Sequence, residues 1–366
     1  MHYYETLMRE CFDLTKQAEG TASPNPLVGS VVMKDGMIVG RGIHRGPGQM
    51  HAEPMAIAEA GEKAKGATLV VNLEPCCHWG RQPPCAPIIA EAGLQRVVAA
   101  YVDPDPRVLG GGFKYLREHG VEVVVGVLEV EARWLNRSFN KHAVTKVPWV
   151  TMKAALSLDG RIALRNGVSK WLSSESSRAE VQRLRYRSDA IMVGRGTIEA
   201  DNPQLTVRTP GLDWKKPVKV ILDGRLKLNP MYAVFSSSPS LLVTVGHAND
   251  RMKSAFEKHP VEVLEHPDSK DSIVPLEWLL KELGQRGVAR LMVEGGQHVF
   301  SQFLAQGLVD EAVFYYSPKI LGDDSKPLVG NLGLTRIEDS SSMRIKDVSK
   351  VGEDIRVEAV FVHGNR

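Results

Sequence analysis

The stretch EPCCHWGRQPPC, residues 74–85, places three of the chain's four cysteines and one histidine within twelve residues. Thiolates and an imidazole gathered in this way are the donors that hold a zinc ion. A second pair, His51 and Glu53, stands upstream in MHAEPMA. His51, Cys76 and Cys85 make three protein ligands and leave a fourth position for water. That is the composition of a catalytic zinc site rather than a structural one. Zinc lowers the pKa of its water towards ~7 and so supplies hydroxide at neutral pH. Glu53, two residues from His51, is placed to serve that water as acid and base without binding the ion.

The order His-x-Glu followed by Pro-Cys is the signature of zinc nucleobase deaminases. The chain departs from it in one respect: eight residues, not two, separate Cys76 from Cys85. The insert must loop out and return, and it carries two competing donors, Cys77 and His78. Cys76 is preferred because it follows Pro75 directly. Cys77 is expected to face away, and His78 to reach substrate from the loop. The plainer readings are a chance His-x-Glu on a helix, buried thiols, or a structural zinc wanting a fourth protein ligand. The four residues in this order, each at the edge of an element, favour catalysis. Cys11 lies in the first helix and is read as a packing residue.

The elements that must position these groups can be read from periodicity and turn residues. MHYYETLMRECFDLTKQAEG begins as an amphipathic helix. Strands at Val28–Met33 and Met37–Gly42 flank an Asp-Gly turn. A helix is expected over 51–64 with His51 at its start, and a buried strand over 67–75. A short helix over 85–93 is closed by Gly93. Strands follow at 96–102 and 121–125, then one long amphipathic segment at 129–145. A new strand, 149–157, begins after Pro148. The domain border is therefore expected near 144–148, dividing the chain into 1–145 and 146–366. The second part alternates strands at 190–193, 218–222, 241–244, 261–264, 290–294 and 312–316 with helices at 175–187, 275–286 and 297–306. Both parts read as α/β. The serine-rich 235–240 is a loop signal.

Composition excludes several classes. At 366 residues, two domains are the natural expectation. A net charge of +3, with 24% charged residues, is too small for nucleic-acid binding by bulk electrostatics. No apolar run approaches the roughly 18 residues of a membrane span. The N-terminus lacks the basic start and apolar stretch of a signal peptide. The chain is expected to be cytoplasmic, where clustered cysteines point to metal or catalysis rather than disulfides.

A second constellation lies in LMVEGGQHVFSQFL, residues 291–304. A buried strand runs into Gly295-Gly296 and then a helix, a geometry that suits a pyrophosphate. No full Gly-x-Gly-x-x-Gly fingerprint is present, and VGRGT (193–197) has only part of it.

SPNPLVGSVV, HAE, EPCCHWGRQPPC and DPDPRVLGGGFKYLREHGVEV, followed by KAALSLDGRIA, SKWLSS, VGRGTIEADNPQLTVR, VEGGQHVFSQFL and SPKILG, together resemble the bifunctional riboflavin biosynthesis deaminase/reductase family. The likeness spans nearly the whole chain. It implies a cytidine-deaminase-like α/β/α sandwich followed by a dihydrofolate-reductase-like α/β domain. The first would remove the 2-amino group of a diaminopyrimidinone carrying a ribosylamino 5′-phosphate. The second would reduce the ribosyl group to ribityl with NADPH. The resemblance carries Asn25, His44 and Arg81 to deaminase substrate contacts. It carries Ala155, Trp171, Thr197, Asp201, Gly295, Gly296, Gln297 and His298 to cofactor contacts. Ser169, Arg185, Leu205, Arg208 and Glu294 match reductase substrate contacts, Arg185 and Arg208 as phosphate holders. Lys153 and Asp159 would line the site.

LGGGF (109–113) could offer backbone N–H groups to an anion or be a plain loop. Arg195 departs from the small residue expected in VGxGT; it could reach the cofactor's 2′-phosphate or point to solvent. The partners implied are a small-molecule pyrimidine ribosyl phosphate, with neither nucleic acid nor membrane; a homo-oligomer is compatible with the chain. A tRNA-type deaminase would share the zinc site but leave 146–366 without a role. A degenerate binding protein is at odds with the intact His51, Glu53, Cys76 and Cys85.

Overall fold

The computed structural model describes residues 2–236, 239–245, 250–266 and 273–362. The chain divides into two compact units, Met1–Val147 and Pro148–Arg366. Among the described residues no helix is long and apolar enough to cross a membrane. Two residues of the serine-rich stretch, 237 and 238, lie outside the described residues.

The first unit runs α1 (His2–Thr15), β1 (Gly29–Lys34), β2 (Met37–Ile43), α2 (Ala52–Ala60), β3 (Thr68–Val71), α3 (Cys85–Glu91), β4 (Arg96–Ala99), α4 (Gly111–Glu118), β5 (Glu122–Val125), α5 (Glu129–Leu135) and α6 (Arg137–Thr145). Its sheet has the order β2-β1-β3-β4-β5. β1 and β2 form a hairpin, turned by Asp35 and Gly36 at φ 50° and 80°. β3, β4 and β5 are parallel. The valine-rich runs of β3 and β4 are buried throughout their apolar positions, as inner parallel strands require. They pack with Met8, Cys11, Ala56, Ile89, Phe113 and Leu116 from the helices.

α2 lies directly on β2. A Cβ on Gly40 or Gly42 would stand 2.1 or 1.9 Å from a carbonyl oxygen of α2, so only glycine allows this approach. That contact fixes the start of α2, where His51 and Glu53 stand.

The expected strands over 67–75 and 96–102 are shorter than their hydrophobic patterns suggest, and the expected segment over 129–145 is broken. The strand expected over 67–75 ends at Val71, and the next buried residue, Asn72, turns its side chain to the backbone leading into β1, accepting from Gly29 N and donating to Leu27 O, each at 2.8 Å. The segment 129–145 is two helices broken at the fully buried Asn136. The Asn136 amide binds Leu27 N at 2.8 Å and Leu27 O at 3.1 Å. These bonds join residues 45 and 109 apart in sequence and anchor the chain where regular structure stops. The two asparagines together clamp Leu27, two residues after Asn25.

The second unit runs β6 (Trp149–Ser157), β7 (Arg161–Ala163), α7 (Glu175–Arg187), β8 (Ala190–Gly194), α8 (Arg195–Asp201), β9 (Val218–Leu222), β10 (Ser240–Val245), α9 (Asp250–Ser254), β11 (Val261–His266), α10 (Leu276–Gln285), β12 (Arg290–Gly295), α11 (Gln297–Ala305), β13 (Glu311–Ser317), β14 (Lys326–Pro327), β15 (Met343–Val351) and β16 (Asp354–Phe361). Nine strands form one sheet in the order β11-β10-β9-β8-β12-β6-β13-β16-β15. All neighbours from β11 to β13 are parallel, and the terminal hairpin is antiparallel. Sequence reading passes over that hairpin, because β15 alternates charged and apolar residues that are nearly all exposed.

β8 continues into β9 on one side, while β12 continues into β13 on the other, across β6. The point between β8 and β12 is thus where the winding reverses, and a crevice opens at the carboxyl ends of such strands.

Candidate active sites

In the first unit the ends of two elements meet. His51 is the extended residue that caps α2, and Cys85 is the first residue of α3. Cys76 lies in the segment after β3. His51 Nδ1 stands 3.2 Å from Cys85 Sγ and 3.6 Å from Cys76 Sγ. All three ligand atoms lie within 4.8 Å of one another. Donors around a tetrahedral zinc are spaced by about 3.5–3.8 Å, given its bond lengths, so the donor set and its spacing fit that ion.

Hydrogen bonding from Cys85 holds the Cys76 thiol well below the ordinary thiol range. Glu53, in the first turn of α2, is buried. Burial first, and the Cys76 charge second, push its carboxyl up to about 7.

Around the triad the expected contacts separate. Asn25 Nδ2 is 2.9 Å from His44 Nε2, and His44 Nδ1 is 3.2 Å from the Met50 carbonyl. The carbonyl can only accept, so Nδ1 carries the proton and Nε2 accepts from Asn25. Burial lowers the His44 pKa. The His44 and His51 rings meet edge-on at 5.1 Å, so Asn25 reaches the triad through His44.

Arg81 is exposed on the 77–84 loop, which Gln82 ties to Gly48 O at 2.8 Å. Cys77 turns its sulfur towards Gly111, away from the triad. His78 buries Nδ1 without a hydrogen-bond partner among the described residues.

The glycine run after Leu109 does hold an anion, and the anion is the protein's own. The buried Glu74 carboxylate accepts from Asp103 N at 3.1 Å, Gly110 N at 2.9 Å and Phe113 N at 3.1 Å. A Cβ on Gly112 would stand 1.8 Å from the Pro75 carbonyl oxygen. The start of α4 is thereby packed on the segment that carries Cys76. Sequence reading misses Glu74, although its place just before Pro75 was the available signal.

In the second unit a cavity of about 1250 Å³ opens at the reversal point. It is large against the roughly 300–1,000 Å³ of ordinary ligand pockets and has room for more than one molecule. Ala155, Ser169, Trp171, Arg185, Thr197, Asp201, Leu205, Arg208, Glu294, Gly296, Gln297 and His298 line it. Gly295 does not; it lies behind Gly296 at φ 120°. Gly296 is the N-cap of α11, and among the described residues no side chain caps that helix. Its first N–H groups therefore remain available to an anion, as a pyrophosphate site requires.

The charged groups sort by their partners. Arg185 binds Glu294 through two bonds, 2.7 and 2.8 Å, and donates to Thr206 O at 3.1 Å. Most of its donors are thus committed. Arg208 differs: its guanidinium makes no hydrogen bond or ion pair among the described residues, and its backbone N–H binds Gln182. Lys153 stands in mid-strand on β6, where burial lowers its pKa against the pull of Glu294. Ser169 Oγ donates to Asp201 at 3.0 Å. Trp171 is 65% exposed under the Arg178 guanidinium, so it is no core aromatic.

Asp159 is a correction. It does not line the cavity but accepts from Ser157 Oγ, Leu321 N and Gly322 N, with the Ser157 bond first in holding its pKa down to about 2.

Known proteins bear on both units. Residues 1–101 match the cytidine and deoxycytidylate deaminase zinc-binding region, and residues 148–357 match the RibD C-terminal domain. Riboflavin biosynthesis protein RibD of Aquifex aeolicus is 40% identical over 95% of this chain and 96% of its own. The Escherichia coli protein of the same name is 36% identical over 96% and 97%. The solved structure of Acinetobacter baumannii RibD superposes with a TM-score of 0.89 at 34% identity, over 99% of both chains. A diaminohydroxyphosphoribosylaminopyrimidine deaminase/5-amino-6-(5-phosphoribosylamino)uracil reductase from Thermotoga maritima gives 0.85 at 35%, also over 99% of both chains. The first unit is thus a cytidine-deaminase-like domain and the second a reductase-like α/β domain.

Proposed function

Since the chain belongs to the RibD family of bifunctional riboflavin biosynthesis enzymes, we propose that its first unit deaminates, and its second unit reduces, a pyrimidine ribosyl phosphate. The observation that carries the reading is the convergence of His51, Cys76 and Cys85 beside the buried Glu53. These three residues hold Zn²⁺, which when bound lowers the pKa of a water towards ~7. Glu53 takes one proton from the attacking water and passes it to the ring nitrogen, then carries the second water proton to the departing amino group, which leaves as ammonia. His44, oriented by Met50 O, fixes Asn25 against the substrate. Arg81, on its exposed loop, meets the substrate phosphate.

In the second unit the cofactor is NADPH. Gly296, with Gln297 and His298 at the start of α11, receives its pyrophosphate; Ala155, Trp171, Thr197 and Asp201 contact the rest. Hydride transfer asks the protein mainly to hold donor and acceptor in register. Ser169 and Leu205 contact the pyrimidine substrate. Arg208 takes its phosphate, since its guanidinium makes no hydrogen bond or ion pair among the described residues. Arg185 acts through Glu294, holding that carboxylate beside Lys153 at the cavity wall. The chain is expected to work in the cytoplasm.

The test is an assay of the full chain with the diaminopyrimidinone phosphate. Ammonia should appear without NADPH, and NADPH oxidation should follow when it is added. Ammonia release that depends on NADPH, or no oxidation at all, would refute the division of labour.

A further inference from the structure

We propose that Arg195 is the residue that selects NADPH over NADH, by binding the phosphate on the cofactor's adenosine ribose. The inference rests on the reductase reading above and takes up the arginine that the motif VGRGT left without a role. The carboxyl ends of β9, β8, β12 and β6 lie side by side in that order. The uncapped start of α11 places a pyrophosphate over the end of β12. Lys153 of β6 and Glu294 of β12, which holds Arg185, line the part of the cavity that the reading above gives to the substrate. The adenosine half must then extend the other way, over β8 and β9. Neighbouring strands are about 4.8 Å apart, so one to two spacings cover the reach of a phosphorylated ribose.

Arg195 follows Gly194, the last residue of β8, and its side chain lines the cavity there. Asp223 follows the last residue of β9. In dinucleotide sites an acid near the ribose binds a 2′-hydroxyl and favours NADH, whereas an arginine accommodates a 2′-phosphate. Here both types are present, and their hydrogen bonds separate them. The Asp223 side chain is fully buried. One of its oxygens accepts from Lys227 N and Leu228 N at 2.5 and 2.7 Å; the other faces Arg195 at 3.5 Å. It holds its own turn and has no free face for a ribose.

Arg195 is held loosely by comparison. Its contacts are single and long, 3.5 Å to Asp223 and 3.4 Å to Glu199, and its side chain is 36% exposed. A guanidinium with five N–H donors keeps most of them for a phosphate under those conditions. Asp223 and Glu199 hold it from two sides, each through a single long contact.

The test is calorimetric titration of the full chain with NADPH and NADH, wild type against Arg195→Ala. NADPH should bind wild type more tightly than NADH. In the variant NADPH should weaken by roughly 10- to 100-fold, the worth of charge-assisted hydrogen bonds, with NADH unchanged. Arg195→Lys, which keeps the charge without the fork, should fall between. Should Arg195→Ala fail to fold, Arg195→Gln and Arg195→Lys carry the same comparison. Adenosine 2′,5′-bisphosphate should displace NADPH from wild type. Equal weakening of both dinucleotides, no weakening of NADPH, or no displacement by the bisphosphate would overturn the assignment and leave the reductase reading standing. Binding of neither dinucleotide by wild type would remove both.

Discussion

The two sites draw their parts from very different lengths of chain. The triad of the first unit reaches from His51 to Cys85, 34 residues, and two of its members sit at the starts of neighbouring helices. The crevice of the second unit joins Arg185 to Glu294 across 109 residues and adds groups from β6 and α8. The contrast teaches what kind of chemistry a sequence can announce. Histidine and cysteine donors are rare, and their types alone narrow the possibilities. Arginine and glutamate are common, and their roles depend on the partner that folding supplies. Arg185 and Arg208 look alike in the sequence, yet one is clamped in a bidentate pair and the other has an uncommitted guanidinium.

That contrast can be broken experimentally, beginning where the loss should be greatest. Cys85→Ser should reduce bound zinc from one per chain to almost none, measured by metal analysis, and abolish ammonia release. Cys77→Ser should change neither, because its sulfur lies against Gly111. Metal loss in Cys77→Ser with retention in Cys85→Ser would reverse the ligand assignment. Glu53→Gln should keep the metal and lower ammonia release by at least ~10²–10⁴-fold, the worth of a positioned acid–base group. The same variant should still oxidise NADPH when given the deaminated pyrimidine. Loss of both activities in a folded Glu53→Gln protein would mean that the two sites are not independent. Arg208→Ala should have the smallest effect, raising the reductase KM for its phosphorylated substrate by the equivalent of about 1.5–3 kcal/mol. Ammonia release should continue. An unchanged KM would return the phosphate to Arg185.

Much of the scaffold was legible because hydrophobic runs bounded by turn residues translate directly into buried parallel strands. β6 occupies the expected 149–157 and α7 the expected 175–187. What was not legible turns on polar side chains that bind backbone far away in sequence. Asn136 breaks what reads as one helix, since its amide is taken up by Leu27. Asp159 reads as a wall of the cavity and instead ties down Leu321 and Gly322. The terminal hairpin escapes because the apolar residues of β15 are interleaved with charge and none of them is buried. The His51, Cys76 and Cys85 cluster shows the opposite case: Cys76 after Pro75 and Cys85 at a helix start were visible as types and spacing, while the turn of the Cys77 sulfur towards Gly111 was not.

The Glu74 carboxylate, seated among three backbone N–H groups at the start of α4, has a consequence for solutes. A covalently attached ligand competes at an effective concentration in the millimolar range or above when its tether is short and well matched. Free phosphate or sulfate in a buffer must exceed that, and must also displace a group already desolvated. The first unit's glycine-rich turn is therefore closed to exchange with the medium. The uncapped start of α11 in the second unit has no such occupant. Buffer anions should accordingly be felt as competitors of the dinucleotide there, while the turn beside the metal ligands remains indifferent to the ionic composition around it.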